Sequence, residues 1–155
     1  MSRYILHRHE AIKRGLHWDV RFQIPNSKNW ASFSTSKEIP TKPNERIYIV
    51  RSNDHSEKEA LYTGTIPSGE YGAGKLIKIE DGDCDIRKYT NSHIIIDFKG
   101  KVLHGVYHII NVATFGKRRD YSKKVYAFFK AKEDTNLKEN YDYLSEYLEK
   151  LNETI

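Results

Sequence analysis

Apolar and polar residues alternate with a period of two through most of this chain. In GLHWDVRFQI, residues 15–24, Leu16, Trp18, Val20, Phe22 and Ile24 share one face, and His17, Asp19, Arg21 and Gln23 share the other. The same alternation predicts strands over Arg3–His7, Leu16–Ile24, Trp30–Ser34, Arg46–Arg51, Lys75–Glu80, His93–Lys99, Gly105–Val112 and Val125–Ala131. Turn formers separate them in PNSKN, PTKPNE, IPSGEYGAG, EDGDCD and KG. About eight short strands make a mainly β protein, a small antiparallel barrel or sandwich. Toward the C-terminus the period changes. Leu137, Tyr141, Leu144, Leu148 and Leu151 are spaced four, three, four and three apart, and Asn136 can cap them. That spacing predicts an amphipathic helix within residues 134–155, its stripe packed on a β domain of residues 1–133.

Composition narrows the class. The 155 residues suffice for one domain with a hydrophobic core. No apolar run is long enough to span a membrane, and MSRYILHRHE lacks the apolar stretch of a signal peptide. The single cysteine, Cys84, precludes an intramolecular disulfide and fits a reducing compartment. A cytoplasmic monomer is expected. The net charge of +5 and pI near 9.1 favour a polyanionic partner. The basic residues concentrate in GKRRDYSKK, residues 116–124, with Lys117, Arg118, Arg119, Lys123 and Lys124. This segment reads as salt-dependent contacts to a nucleic-acid backbone or as a solvated hairpin loop.

Two segments invite a chemical reading. GEYGAGKL, residues 69–76, has the glycine spacing of a phosphate-binding loop, but Leu76 stands where Ser or Thr would reach magnesium. The following KLIKIE alternates like a strand, whereas such a loop must open a helix. An ATPase is therefore excluded. His17-x-Asp19 is the stronger signal, because residues two apart on a strand converge on one point. A hairpin across AIKRG brings His9 or His7 alongside. Two imidazoles and a carboxylate suit manganese, zinc or iron and leave positions open for substrate. The same pattern also occurs as solvated decoration. Arg21 shares the face and can grip an anionic oxygen. VRSNDHSEKEA adds Arg51, Asp54 and His55. His93, His104 and His108 lack such company and read as structural or surface residues.

In this order the segments HRHEAIKRGLHWDVRF, WASFSTSKEIP, NDHSEKEALYTGTIPSGEYGAGKL, GKVLHGVYHIINV and VYAFFKAK resemble the 3′-phosphoesterase domain of bacterial DNA ligase D over roughly residues 3–132. The resemblance implies a small β-barrel that heals 3′ ends of DNA or RNA-tailed DNA before ligation. Such domains remove a 3′-terminal ribonucleoside and then its phosphate. It implies a manganese cofactor, with zinc or cobalt as substitutes, and partnership with a DNA ligase or end-joining proteins. Carried over, His9, His17 and Asp19 are the metal ligands, Arg21 and His55 hold the scissile phosphate, and Lys37 lies nearby. A further arginine precedes the Asp-His pair in the family; Arg46 matches it with one extra residue between, and Arg51 is the rival.

Three positions depart from the family pattern. Seven residues rather than five separate His9 from His17, which implies a longer linking turn. Asn53 replaces the acid before Asp54-His55. Glu59 replaces a tyrosine four residues after His55, which puts the balance of diesterase and monoesterase activity in question. Two other classes fit parts of the sequence. A non-haem iron oxygenase would use His17, Asp19 and a distal His104 or His108. A non-catalytic nucleic-acid-binding barrel would use the basic loop and aromatic residues without metal.

Overall fold

Strand-forming residues at alternate positions draw the chain into consecutive antiparallel hairpins. The computed structural model describes residues 1–43, 45–115 and 123–132. The expected C-terminal helix of residues 134–155, and Lys117, Arg118 and Arg119, lie outside the described residues. The strands are β1 (Ser2–Ala11), β2 (Gly15–Gln23), β3 (Trp30–Thr35), β4 (Arg46–His55), β5 (Gly64–Ile66), β6 (Gly74–Tyr89), β7 (His93–Lys99), β8 (His104–Asn111) and β9 (Val125–Lys130). Two short helices, α1 (Glu57–Leu61) and α2 (Val112–Phe115), join them. Eight strands run in the order β1-β2-β3-β4-β9-β8-β7-β6, and β6 pairs back onto β1 to close an antiparallel barrel. β5 pairs with the first residues of β6 as a flanking ninth strand. None of the described helices is long and apolar enough to cross a membrane.

All eight expected strands are present, with two extensions that matter. β1 continues past His7 to Ala11, so His9 sits in the ladder rather than in the turn. β6 runs straight through EDGDCD, which its acidic residues and glycine mark as a turn. Alternation persists there: Cys84 is fully buried, pairing with Ser2 on one side and Phe98 on the other. The β1–β6 register shifts between Leu6 and His7, and the β6–β7 register between Ile86 and Lys88. Such bulges bend a strand, here one long enough to serve two neighbours.

The interior is apolar and aromatic. Tyr4, Leu6, Val20, Phe22, Phe33, Ile96, Phe98, Tyr107 and Phe128 are all within 2% of complete burial. Tyr4 meets Phe98, and Phe98 meets Tyr107, edge to face at centroid separations of 4.9 and 5.4 Å. The apolar row of β2 is only partly in this core. Val20 and Phe22 are buried, Trp18 and Ile24 pack against the edge, and Leu16 is half-exposed.

The polar row of β2 is not the wet face that its composition suggests. His17, Asp19 and Arg21 are 3%, 4% and 9% exposed. The connection from β4 to β6 shelters the outer face on which they lie. α1 lays Ala60 against Ile5 and Trp30, and the turn after β5 reaches His9.

On the opposite arc of the barrel, His93 of β7 and His108 of β8 share a hydrogen bond of 2.8 Å between Nε2 and Nδ1. His108 stacks on Phe129, and Lys88 Nζ lies 3.4 Å from His93 Nδ1. Burial, with the nearby Lys88 charge, lowers His93 to about 4. Burial, with His93 and Lys88, lowers His108 to about 3. Both stay neutral in the folded protein while the unfolded chain takes up protons near pH 6.5. Their contribution to stability is therefore complete above about pH 6.5 and lost as pH falls toward 4. Chemical denaturation across this window should show stability falling by about 1.4 kcal/mol per pH unit for each proton taken up only on unfolding. His108→Gln should flatten that slope; an unchanged slope would assign it to other groups.

Candidate metal centre and phosphate site

The β1–β2 hairpin sets the geometry. His9 pairs directly with His17, and His7 with Asp19, across a loop of Ile12, Lys13 and Arg14. The seven residues between His9 and His17 therefore comprise two further strand pairs and a tight loop. His9, His17 and Asp19 present ligand atoms that all lie within 4.8 Å of one another, and all three residues are buried. No other such cluster occurs among the described residues. His9 Nδ1 is 3.4 Å from Asp19 Oδ2, and His17 Nε2 is 3.5 Å from Asp19 Oδ1.

The far nitrogen of each ring is held by a backbone carbonyl. His9 Nε2 lies 2.8 Å from Gly72 O, and His17 Nδ1 lies 3.1 Å from Gly15 O. A carbonyl only accepts, so both far nitrogens carry the proton. In the neutral rings, His9 Nδ1 and His17 Nε2 then turn lone pairs toward a carboxylate. Burial lowers the pKa of His17, against the opposing effects of Asp19 and the Gly15 carbonyl, and so favours its neutral form. Asp19 Oδ2 is buried and receives no hydrogen bond in the structure. Two lone pairs face this carboxylate, whose Oδ2 has the Arg21 guanidinium 3.5 Å away, and together they form a donor set for a metal cation. The carbonyl-anchored rings are the arrangement that orients metal-ligating histidines. The residues fit a divalent metal with two nitrogen donors and one carboxylate.

His7, the alternative third ligand, shares the face but not the cluster. Its Nε2 meets the Thr63 hydroxyl at 3.0 Å. His104 and His108, the distal ligands of the oxygenase reading, lie on β8, four strands from β2 in the barrel order. His108 is engaged with His93.

Arg21 lies two residues beyond Asp19. Its Nε donates to Ser32 Oγ at 3.0 Å, which fixes the guanidinium plane, and Nη2 is 3.5 Å from Asp19 Oδ2. Burial lowers its pKa, while Asp19 and Glu59 favour its charged form. His55 ends β4 opposite Trp30, and therefore on the outer face. Its Nδ1 lies 3.6 Å from Glu59 Oε2.

The other cations suggested by sequence are placed differently. Arg51 pairs with the core residue Phe33, so it points to the opposite face from Arg21. Its guanidinium lies over Phe33 and Tyr89 and donates to Tyr89 Oη at 2.6 Å. Arg51, the rival phosphate clamp and nucleic-acid contact of the sequence, therefore does not share the face of Asp19 and Arg21. Arg46 is on the outer face and lies over Tyr48, four residues along β4 from the level of Ser34 and Asp19, about 13 Å of strand. The extra residue between Arg46 and His55 coincides with a bulge, where Ser52–His55 opposes Ser32–Trp30. Lys37 is exposed just past β3, its backbone N–H bonded to Thr35 Oγ1.

Sequence reasoning missed the carbonyls of Gly15 and Gly72, the Ser32 hydroxyl, and α1. Only α1 carried a direct signal, the Ser56-x-x-Glu59 capping box.

Residues 7–111 match the DNA ligase D 3′-phosphoesterase domain. The chain is 29% identical over 111 residues to the multifunctional non-homologous end joining DNA repair protein LigD of Mycobacterium tuberculosis, covering 69% of this chain and 14% of that protein. It is 29% identical over 124 residues to the Pseudomonas aeruginosa multifunctional non-homologous end joining protein LigD, covering 76% and 14%. For the Mycolicibacterium smegmatis protein of that name the identity is 27% over 120 residues, covering 70% and 15%. The chain thus spans a small fraction of the length of these relatives. With the family match running through both strands of the candidate metal centre and well over half of the residues, this chain belongs to the DNA ligase D 3′-phosphoesterase domain family.

Proposed function

We propose that this chain is a divalent-metal-dependent phosphoesterase that heals 3′ ends of DNA, removing a 3′-terminal ribonucleoside and a 3′-phosphate before ligation. The observation that carries the reading is the convergence of His9 Nδ1, His17 Nε2 and the Asp19 carboxylate, with both rings anchored by carbonyls and Arg21 alongside. DNA and RNA-tailed DNA 3′ ends are the proposed substrates. Manganese is the proposed metal, with zinc or cobalt as substitutes. The names of the relatives support a role in end joining, with a ligase or end-joining proteins as partners in the cytoplasm.

His9, His17 and Asp19 would hold the metal, which when bound supplies a Lewis acid for a phosphate oxygen and an activated water. Arg21, its plane set by Ser32, would meet the phosphate oxygens as charge develops on them. His55 would hydrogen-bond the phosphate or protonate the leaving oxygen. Lys37 and Arg46 would serve the strand leading into the site, rather than the reacting phosphate. Residues 117–119 would add counterion-releasing contacts to that strand.

Manganese should raise the thermal midpoint of metal-free protein, by roughly 5–10 °C at about a hundredfold excess over its dissociation constant. His17→Ala should lose both this shift and hydrolysis of a 3′-ribonucleotide-terminated oligonucleotide. A normal shift in the variant would remove His17 from the ligand set.

Arg21→Lys separates phosphate recognition from metal binding. Lysine keeps the charge but loses the planar fork and the Nε–H to Ser32. Turnover should fall roughly 30- to 1000-fold, with a much smaller change in KM and metal content near that of the parent. Normal turnover would leave Arg21 with a purely structural role.

A further inference from the structure

Glu59 occupies the position where the family pattern has a tyrosine, and it lies beside His55, a proposed phosphate contact. Its carboxylate is held in place. Ser56 donates to Oε1 through its backbone N–H at 3.2 Å and its hydroxyl at 2.9 Å, and Glu59 N–H donates back to Ser56 Oγ. The other oxygen faces His55 Nδ1. Hydrogen bonds from the Ser56 backbone and hydroxyl, and then from His55, hold this acid below the usual carboxylate range. It is therefore ionised at neutral pH. The helix that carries it is fixed to the barrel by Ala60, buried against Ile5 and Trp30.

This charge bears on the proposed phosphate cradle. Arg21 already has the Asp19 carboxylate within 3.5 Å, and it also feels Glu59. Arg51 is turned to the other face. The cradle thus offers one buried guanidinium, 3.5 Å from Asp19, and His55, whose Nδ1 lies 3.6 Å from the Glu59 carboxylate and which stands between Glu59 and the proposed phosphate position. A phosphodiester brings one negative charge, whereas a terminal phosphomonoester brings nearly two above its second pKa of about 6. We infer that Glu59 is a specificity-determining residue that favours singly charged phosphodiesters over doubly charged 3′-phosphates at this site. The inference rests on the phosphoesterase reading above.

Glu59→Gln tests it, because glutamine also completes a capping box and so preserves α1. Two oligonucleotides of one sequence, ending in a 3′-ribonucleoside or a 3′-phosphate, are compared with parent and variant, both loaded with manganese. At pH 7.5 the variant should raise the ratio of kcat/KM for the monoester to that for the diester about twofold or more, the effect of one unit charge at about 8 Å, across the His55 ring, under water-like screening. At pH 5.5, where the monoester carries close to one charge, the gain should largely vanish. Calorimetric binding of the 3′-phosphate oligonucleotide should tighten in parallel at pH 7.5. An unchanged ratio and unchanged binding at pH 7.5 would overturn the role given to Glu59. Failure of the parent to hydrolyse either substrate would overturn the phosphoesterase reading, and binding alone would then decide the question of Glu59.

Discussion

The pairing of His9 with His17 across the β1–β2 hairpin is the constraint on which the site depends. Side chains directly opposite in an antiparallel pair are near neighbours, and the next residue on the same face lies within reach diagonally. Asp19 is that diagonal neighbour of His9, so one register fixes all three donors. A slip of one residue would move one strand's donors to the core face. The register is secured from the other side by Val20 and Phe22, whose burial contributes roughly 1.5–3 kcal/mol each. Packing inside the barrel thereby positions chemistry outside it.

The buried polar face also explains why the β4–β6 connection folds over it. Imidazoles, a carboxylate and a guanidinium out of water need partners, or their burial costs free energy. Gly72 supplies a carbonyl to His9, Thr63 a hydroxyl to His7, and Ser32 a hydroxyl to Arg21. Asp19 Oδ2, which faces His9 Nδ1, receives no hydrogen bond from the described residues, and Oδ1 faces His17 Nε2. These contacts hold the outer atoms of the site, while two imidazole lone pairs face the Asp19 carboxylate at its centre, a donor set that a cation stabilises.

Much of this was legible in the sequence, for identifiable reasons. Alternation located the eight barrel strands, and His-x-Asp-x-Arg put three candidate site residues on one face of β2. The choice between His7 and His9 was not readable from alternation, because both share a face; the partners of each ring decide it. EDGDCD misled because acidic residues on the outer face of a long strand look like a turn. Arg51 misled because a bulge after Ser52 changes which residues of β4 share the face of His55. Arg46 and Arg51 differ by an odd number of residues on regular strand, so they could not share a face. The depth of burial of His17, Asp19 and Arg21 was hidden because it depends on a distant segment folding over them.

The glycines of GEYGAGK close the argument. The segment mimics a phosphate-binding loop in spacing, yet it forms turns and then enters β6. Gly72 adopts a φ of +76°, and a Cβ there would sit 3.5 Å from His9 Cε1. Gly74, at φ +145°, approaches β1 so closely that a Cβ would overlap the Glu10 carbonyl oxygen. Beside it, Ile12 N–H donates to Ala73 O at 2.9 Å, locking the turn to the end of the hairpin. Gly72 thereby brings its carbonyl to the His9 imidazole, and its φ, with both the φ and the overlap at Gly74, disfavours side chains here. The motif and the His-x-Asp strand lie about fifty residues apart in the chain, yet they are two halves of one constraint: the strand provides the donors, and the turn sets the tautomer and orientation of one of them.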